Sequence, residues 1–568
     1  MGGFDYPVCI VWPIDISARR CISRCLLLCF VSLSQLAVSA GRPNFVFILA
    51  DDMGFSDAGC YGGEIETPNL DRLAVGGLRF SRCYNNGLCV PSRRSLLTGY
   101  YYQQATKLND GRGELRPSWM RLLPHYLKPY GYRSYHAGKW HLPLRRQLGS
   151  SGFDRSYRLA DHNRFFSPQR HSLDEKPLPP VAREAGYHAT TAVTDHAVRF
   201  LRDHAKSPTE RRSPFLLYLA YTAPHFPLHA LPGDRAKYEG RYLAGWDVIR
   251  EQRRRRLQEL GLVRTDLASR PVRVPPPVVL TSPEFPDPLS VLGAGETDLA
   301  PAWTDLTEKE KRFQATKMAL HAAMVTQMDR EIGRVLDQLR VMGVFEDTVI
   351  FFASDNGACA TVMVRGDGHD PEAPAGSAGS YLCLGPGWAN AANSPLRMHK
   401  VWTYEGGVAT PLIVHWPAGI RKRGEIRRTP VHFIDVVPTL VELAGGTESD
   451  SRRNDSGPPL PGRSFVSCFE GDGDLQREFI YLSQPQDYRV ITPEKDRVPL
   501  LNDRGFHGLT TDRFKLVKSH GSAWELYDLV NDRGETKDLS GEMPSKVREL
   551  TDLWRGATRQ YQRDAVIP

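Results

Sequence analysis

Short, almost continuous apolar runs alternate along this chain with longer stretches of helical periodicity, the pattern of a sheet covered by helices on both faces. Five runs carry that reading: Phe45 to Ala50, Tyr132 to Ala137, Phe215 to Tyr221, Thr348 to Ala353 and Pro411 to Trp416. The clearest helix is predicted over Phe313 to Met342, where Met318, Ala322, Val325, Met328, Ile332, Val335 and Leu339 recur at helical steps and Gly343 supplies the stop. Past about residue 470 the runs become shorter, Phe479 to Ser483, Phe506 to Thr511, Phe514 to Lys518 and Trp524 to Leu529, before a final helix over Ser545 to Tyr561. The expected fold class is α/β. Residues 41–470 would form a large, mainly parallel sheet sandwiched by helices, and residues 471–568 a smaller C-terminal α+β domain with an antiparallel sheet. The Ser-, Asp-, Gly- and Pro-rich stretch Gly446 to Gly462 reads as a surface loop ahead of it.

Length and composition agree with that division. At 568 residues the chain is too long for one ordinary core, and with 41% hydrophobic against 24% charged residues it has enough apolar material to fold. The start reads differently. Arg19, Arg20 and Arg24 precede an apolar stretch from Cys25 to Val38 that closes on Ser39 and Ala40, so residues 1–40 are expected to be a secretory signal and the mature protein to be exported, periplasmic or extracellular. An N-terminal anchor is the alternative, but the run is shorter than the ~20 apolar residues a membrane span needs, and no later segment approaches that length. Cys9, Cys21, Cys25 and Cys29 fall inside the signal; the six that remain show neither C-x-x-C pairing nor zinc spacing, which argues against a zinc module and leaves a disulfide or two open. The net charge of +8 is modest, and its most visible local source, Arg253 to Arg256, reads either as a solvated helix face or as a surface that attracts a polyanion. No nucleic-acid-binding module is recognisable.

In open α/β sheets ligands bind beyond the carboxyl ends of the strands, and the residues there carry chemistry. Phe45 to Ala50 runs into Asp51 and Asp52, and Thr348 to Ala353 into Asp355 and Asn356. Three carboxylates brought together cost about 4 kcal/mol per pair at ~4 Å and an effective dielectric of ~20, so they point to a cation, and oxygen-only ligands favour Ca²⁺ or Mg²⁺. A single Asp at a strand end would read as a cap or turn former. Two further strand ends supply Lys139 with His141, and His225, groups able to grip an anion and move a proton. Cys89 precedes Pro91 and the helical run Arg93 to Leu97, which places it at a helix N-terminus where amides and Arg93 favour negative charge. A reactive thiolate or a buried structural cysteine would both suit that position.

The stretch CVPSRRSLLTG at Cys89 to Gly99 resembles the hallmark of type I, formylglycine-dependent sulfatases, members of the alkaline phosphatase superfamily. Other landmarks occur in order: PNFVFILADDMG at Pro43 to Gly54, TPNLDRLA at Thr67 to Ala74, GKWHL at Gly138 to Leu142, APH at Ala223 to His225, FASDNG at Phe352 to Gly357, SPLRMHKVWTYEGG at Ser394 to Gly407 and HFIDVVPTLVELAG at His432 to Gly445. The likeness extends over residues 42–545 and is greatest to bacterial arylsulfatase-like and carbohydrate sulfatases. It implies hydrolysis of sulfate esters by a formylglycine made from Cys89, through a covalent sulfate ester. It also implies Ca²⁺, ahead of Mg²⁺, held by Asp51, Asp52, Asp355, Asn356 and an oxygen of modified Cys89. Arg93 would steady that residue, Lys139 and Lys400 would hold sulfate oxygens, His225 would protonate the leaving oxygen, and His141 would act as base. A formylglycine-generating or sulfatase-maturating enzyme is the implied partner, and a sulfated small molecule or glycan the implied substrate.

Two departures bear on substrate choice. Pro143 follows GKWHL where many relatives have Gly, and Ser483 to Phe506 lacks the expected Trp, Glu, His and Asn pattern. DHNRFF at Asp161 to Phe166 and the run Gly376 to Gly387 are expected to line the cleft. A phosphate or phosphonate ester hydrolase on the same scaffold and a non-catalytic binder of sulfated glycan are the alternatives; the intact set of reactive residues argues against the second.

Overall fold

The computed structural model describes residues 1–3, 41–106, 117–142, 151–274, 278–447, 450, 457–485, 505–519 and 521–567. Residues 4–40 of the expected signal, Pro143, residues 448–449 and 451–456 of the Gly446 to Gly462 loop, and residues 486–504 of the Ser483 to Phe506 stretch lie outside them. In chain order the strands of the main sheet are β1 (Asn44–Ala50), β2 (Leu78–Tyr84), β3 (Arg133–Lys139), β4 (Arg155–Leu159), β5 (His171–Leu173), β6 (Lys176–Pro177), β7 (Phe215–Ala220), β8 (Thr348–Ser354), β9 (Ala409–His415), β10 (Ile426–Arg427) and β11 (Val431–His432). They lie in the order β10, β2, β9, β8, β1, β7, β3, β4, β5, β6, with β11 also beside β2.

The block β8, β1, β7, β3, β4 is parallel throughout. Its centre, β1, is buried at every residue and sends alternate side chains to opposite faces. Val46 and Ile48 enter a core with helices Ala189–Lys206 and Glu308–Val341, while Phe45, Phe47 and Leu49 enter another with helix Val436–Leu443. Burial on both faces is why the strand reads as an unbroken apolar run. Within the expected mainly parallel sheet, β9 runs antiparallel to both β8 and β2. Its amino end, not its carboxyl end, therefore lies beside the carboxyl end of β8, and so the residues that precede β9 approach the site.

Helix Glu308–Val341 begins earlier than its apolar pattern predicts, because Thr307 and Glu310 form a reciprocal capping box. The C-terminal antiparallel sheet has four strands in sequence order, β12 (Ile480–Pro485), β13 (Gly505–Thr510), β14 (Phe514–Lys518) and β15 (Glu525–Asp528). Leu509, Leu516 and Leu526 of that sheet pack on Leu550 and Trp554 of the last helix, Pro544–Ala565, and on Tyr101 and Ile434 from outside it.

Arg253 departs from both readings of the basic run. It is fully buried on helix Trp246–Glu259, with Nη1 2.7 Å from Asp57 and Nη2 2.8 Å from Glu64, whereas Arg255 is 67% exposed. The six cysteines among the described residues are unpaired and buried. No helix among those residues is long and apolar enough to cross a membrane.

Candidate active site

Six chain segments meet beyond the carboxyl ends of β1, β2, β3, β7 and β8 and ahead of β9. From β1 the chain turns at Asp52, whose φ of 69° is left-handed, a conformation that costs a non-glycine residue roughly 1–2 kcal/mol. His141, two residues past β3, has φ 53°. Gly138 shows why the β3 end is built as it is: a Cβ there would stand 1.9 Å from the Ala220 carbonyl oxygen, so only glycine lets β3 and β7 come this close. Strand β2, which sequence reading missed, delivers the chain to Leu88, an extended N-cap, and helix Cys89–Thr98 starts at Cys89 itself. All ten residues of that helix are buried, and Gly99 ends it with φ 77°.

The charged side chains interlock. Arg93 donates from Nε to Asp355 Oδ2 at 2.8 Å and from Nη1 to the Lys139 carbonyl at 3.0 Å, and its Nη2 lies 3.9 Å from Asp51 Oδ1. Lys139 Nζ is 2.5 Å from Asp51 Oδ2; Lys400 Nζ is 2.6 Å from Asp52 Oδ1, which also accepts from Asn356 Nδ2 at 2.6 Å. His225 Nε2 lies 3.6 Å from Asp52 Oδ2, while its Nδ1 donates to the Phe226 carbonyl at 2.6 Å and so fixes the ring. The structure thus brings together Asp51, Asp52, Arg93, Lys139, His225, Asp355, Asn356 and Lys400. Cys89 stands in the field of Lys139, Lys400, Asp355 and Asp51.

Burial and these charges set the protonation states. Burial pushes the Cys89 thiol up, and the two lysines only partly offset it. Burial also raises Asp51, but Lys139, His225, Arg93 and Lys400 together hold it below the usual carboxylate range. Asp355 goes the other way, to about 7, through burial and the neighbouring Asp51, with Arg93 opposing. Burial takes His225 down to about 3 although Asp52 pulls it up, and holds His141 well below the ordinary imidazole range, with Lys139 adding to the effect.

The donor set fits a hard cation. Asp51 Oδ1, Asp52 Oδ2 and Asn356 Oδ1 are buried and accept no hydrogen bond from the described residues, so each keeps lone pairs to offer. Asp51, Asp52 and His225 can place one ligand atom each within 4.8 Å of one another. Three carboxylates face three cationic side chains, so a divalent ion would give the site a net positive charge suited to an anionic substrate.

His162, from the DHNRFF segment, belongs here although the sequence offers no specific signal for it. Its ring lies 4.7 Å from that of His141 and 5.6 Å from that of His225. The run Gly376 to Gly387 contributes Ala378, Ser380 and Tyr381 to a cavity that Asn163 and Arg164 also line.

Comparison with known proteins identifies the family. The family model described as Sulfatase matches residues 43–446, and the one described as N-sulphoglucosamine sulphohydrolase, C-terminal, matches residues 397–555. An arylsulfatase of Klebsiella aerogenes is 30% identical over 72% of this chain and 88% of its own length. An N-acetylglucosamine-6-O-sulfatase of Bacteroides thetaiotaomicron is 25% identical over 92% of this chain and 87% of its own. In fold, the crystal structure of i-CgsB in complex with k-i-k-neocarrahexaose superposes with a TM-score of 0.62 at 22% identity, covering 92% of this chain and 94% of that one. With the family model spanning well over half its length, the chain belongs to the sulfatase family, enzymes that hydrolyse sulfate esters.

Proposed function

We propose that this sulfatase acts on a sulfated carbohydrate, with residue 89 as its nucleophile after oxidation of the cysteine to formylglycine. The observation that carries the reading is the placement of Cys89 at the buried start of a helix, within the field of two lysines and two carboxylates of the same site. The name of the Bacteroides relative and the oligosaccharide bound to i-CgsB support a saccharide substrate. Conversion of the thiol-bearing carbon to an aldehyde is an oxidation this chain does not perform, so a formylglycine-generating or sulfatase-maturating enzyme is part of the proposal. Export through residues 1–40 is part of it as well.

In its hydrated form the aldehyde offers two hydroxyls. One gives up its proton to a carboxylate of the site and attacks the ester sulfur; the bond from sulfur to the sugar oxygen breaks, and that oxygen takes a proton from His225. The anionic ester beside His225 favours the imidazolium that burial otherwise disfavours. His141 then removes the proton of the second hydroxyl, the carbonyl reforms, and the carbon–oxygen bond to sulfate breaks to release inorganic sulfate. Water restores the hydrate. Arg93, tied to Asp355 and to the Lys139 carbonyl, steadies the start of the helix, and the Lys139 and Lys400 ammonium groups offset charge on the sulfuryl oxygens. Asp51, Asp52, Asp355, Asn356 and residue 89 would hold Ca²⁺, which when bound supplies Lewis-acid stabilisation of those oxygens.

The test is sulfate release by the matured protein from a panel of sulfated saccharides, 4-nitrophenyl sulfate and 4-nitrophenyl phosphate. Turnover is expected to be greatest on a saccharide. Faster cleavage of the phosphate than of every sulfate would contradict the reading, and aryl sulfate turnover far above that of every saccharide would contradict its substrate class.

A further inference from the structure

A cavity of about 290 Å³ opens beside the leaving-group side of the site. Among the residues that line it are Asp161, Asn163, Arg164, Arg365, Asp367 and Tyr381. Two contacts fix its position. Asp161 and Asn163 flank His162, whose ring is 5.6 Å from that of His225. Arg365 stacks its guanidinium carbon 5.3 Å from the ring of Phe226, which itself lies 4.1 Å from the His225 ring. If His225 protonates the departing sugar oxygen, the sugar that carries this oxygen has to lie against that side.

The charges in the cavity wall are unequally matched. Arg164 is saturated: Nη1 is 2.8 Å from Asp161 Oδ2, and Nε and Nη2 are 3.0 and 2.7 Å from the two oxygens of Asp367. Asp367 also takes Arg183 at 3.2 Å. Arg365 has no such partner. Its Nε donates to the Tyr381 hydroxyl at 3.1 Å and its Nη2 to Asn163 Oδ1 at 2.8 Å, and among the described residues no carboxylate comes within salt-bridge distance of it. Arg170, on the same lining, is exposed and likewise shows no carboxylate partner among the described residues. Both aspartates of the wall are committed to Arg164 and Arg183. What is left is a half-buried guanidinium, held by a neutral hydroxyl and a neutral amide, whose planar fork suits a tetrahedral or carboxylate oxyanion.

We propose that Arg365, oriented by Asn163 and Tyr381, is a specificity determinant that binds a second anionic group, sulfate or carboxylate, on the saccharide whose ester is cleaved. The inference rests on the carbohydrate sulfatase reading and adds to it that the substrate carries at least two negative charges. Arg365 makes no contact with the reacting atoms; it acts by selecting which saccharide reaches them.

The experiment compares the wild-type protein with Arg365→Gln and Arg365→Lys on three probes: glucosamine 6-O-sulfate, glucosamine 2-N,6-O-disulfate, and a monosulfated disaccharide containing a uronic acid. The readout is the ratio of kcat/KM for each doubly charged probe to that for the monosulfate. The wild type is expected to prefer at least one doubly charged probe, and which one distinguishes a second sulfate from a carboxylate. Arg365→Gln should lower that ratio roughly tenfold or more, the effect of one charge-assisted contact, and Arg365→Lys should lower it less. A purely structural role would lower both rates together and leave the ratio where it was, which would overturn the proposal, as would a wild type with no preference for either doubly charged probe. Calorimetric binding of the disulfate, which needs no turnover, separates this inference from the function it rests on. If the wild type hydrolysed no sulfate ester, the functional reading would fall, while weaker binding of the disulfate to Arg365→Gln would still support the subsite and equal binding would overturn it.

Discussion

Lys515→Met tests how the C-terminal sheet supports the site. Lys515 on β14 is fully buried, with Nζ 3.0 Å from Glu405 Oε1 and 3.0 Å from Glu535 Oε1. Arg533 completes the set: its Nε and Nη2 are 3.1 and 2.5 Å from Glu405 Oε2, and its Nη1 donates to the Ser81 carbonyl at 2.5 Å. Glu405 opens the short helix ahead of β9, just past Lys400, so this network clamps the segment that carries Lys400. Burial, with Glu405 adding to it, pushes Glu535 up to about 7, whereas Lys515 and Arg533 overcome burial to bring Glu405 down to about 2. A carboxyl raised from 4.5 to about 7 holds its proton more tightly in the folded state. Its contribution to stability is therefore fully present below the unfolded value and is lost as pH rises through the folded one. Removing the ammonium breaks a buried pair, which costs about 3–5 kcal/mol when the remaining charge has no escape. At pH 6 Glu535 keeps its proton in both proteins, so the loss there should be about 1–2 kcal/mol; above about pH 7 only the wild-type carboxyl ionises against Lys515, so the loss should grow by roughly 1.4 kcal/mol by pH 8. Glu535→Gln keeps an acceptor for the Glu405 amide, now 2.8 Å from Glu535 Oε2, and removes the titrating carboxyl. Denaturant midpoints of wild type, Lys515→Met, Glu535→Gln and the double variant at pH 6 and pH 8 give the cycle. In the Glu535→Gln background the effect of Lys515→Met should be the same at both pH values. An equal loss at both pH values when Glu535 is present, or the same growth with pH when it is not, would refute this electrostatic account.

Three other outcomes are expected. His225→Ala should lower kcat/KM by roughly 10²–10⁴ on a saccharide sulfate and much less on 4-nitrophenyl sulfate, whose leaving group needs no proton; equal losses would remove His225 from the role of acid. Arg253→Ala should destabilise the protein by about 3–5 kcal/mol in thermal or denaturant unfolding, because it strands Asp57 and Glu64 in the core, while Arg255→Ala on the exposed face should change stability by less than about 0.5 kcal/mol. Elemental analysis of the purified protein should find stoichiometric calcium, and its removal with a chelator should lower both activity and the unfolding temperature; stoichiometric zinc lost on Asp51→Asn would contradict the assignment.

What the sequence made legible follows from local physics. Strands β1, β7 and β8 are buried on both faces and announce themselves as apolar runs, and the oxygen-rich turns after β1 and β8 then point to one place. Strand β2 stays hidden because Arg79, Ser81 and Arg82 interrupt its apolar residues; Arg82 spends its charge on the carbonyls of Thr511 and Asp512, far along the chain. The direction of β9 is invisible for another reason: an apolar run looks the same whichever way it is paired. Only the topology shows that Lys400 reaches the site from the amino end of a reversed strand. Arg253 is the sharpest miss, since a run of four arginines looks solvated unless one knows that Asp57 and Glu64 fold over one of them. Arg365 likewise has no local signal; its importance comes from what it lacks, a carboxylate partner, in a cavity assembled from distant segments.

The central claim is that residue 89 acts as an aldehyde hydrate rather than as a thiol. Trypsin cleavage after Arg82 and Arg93 gives a peptide with both Cys83 and Cys89, so it carries its own control. In the matured protein, mass spectrometry of this peptide after iodoacetamide should show one alkylated cysteine, Cys83, and a residue 89 lighter than encoded by hydrogen sulfide less one oxygen atom. Cys89→Ser should release at most one leaving group per molecule and retain sulfate on residue 89, because a serine sulfate has no second hydroxyl with which to expel it. Full steady-state turnover by protein in which both cysteines of that peptide are alkylated, or in which residue 89 is an unmodified serine, would contradict the mechanism.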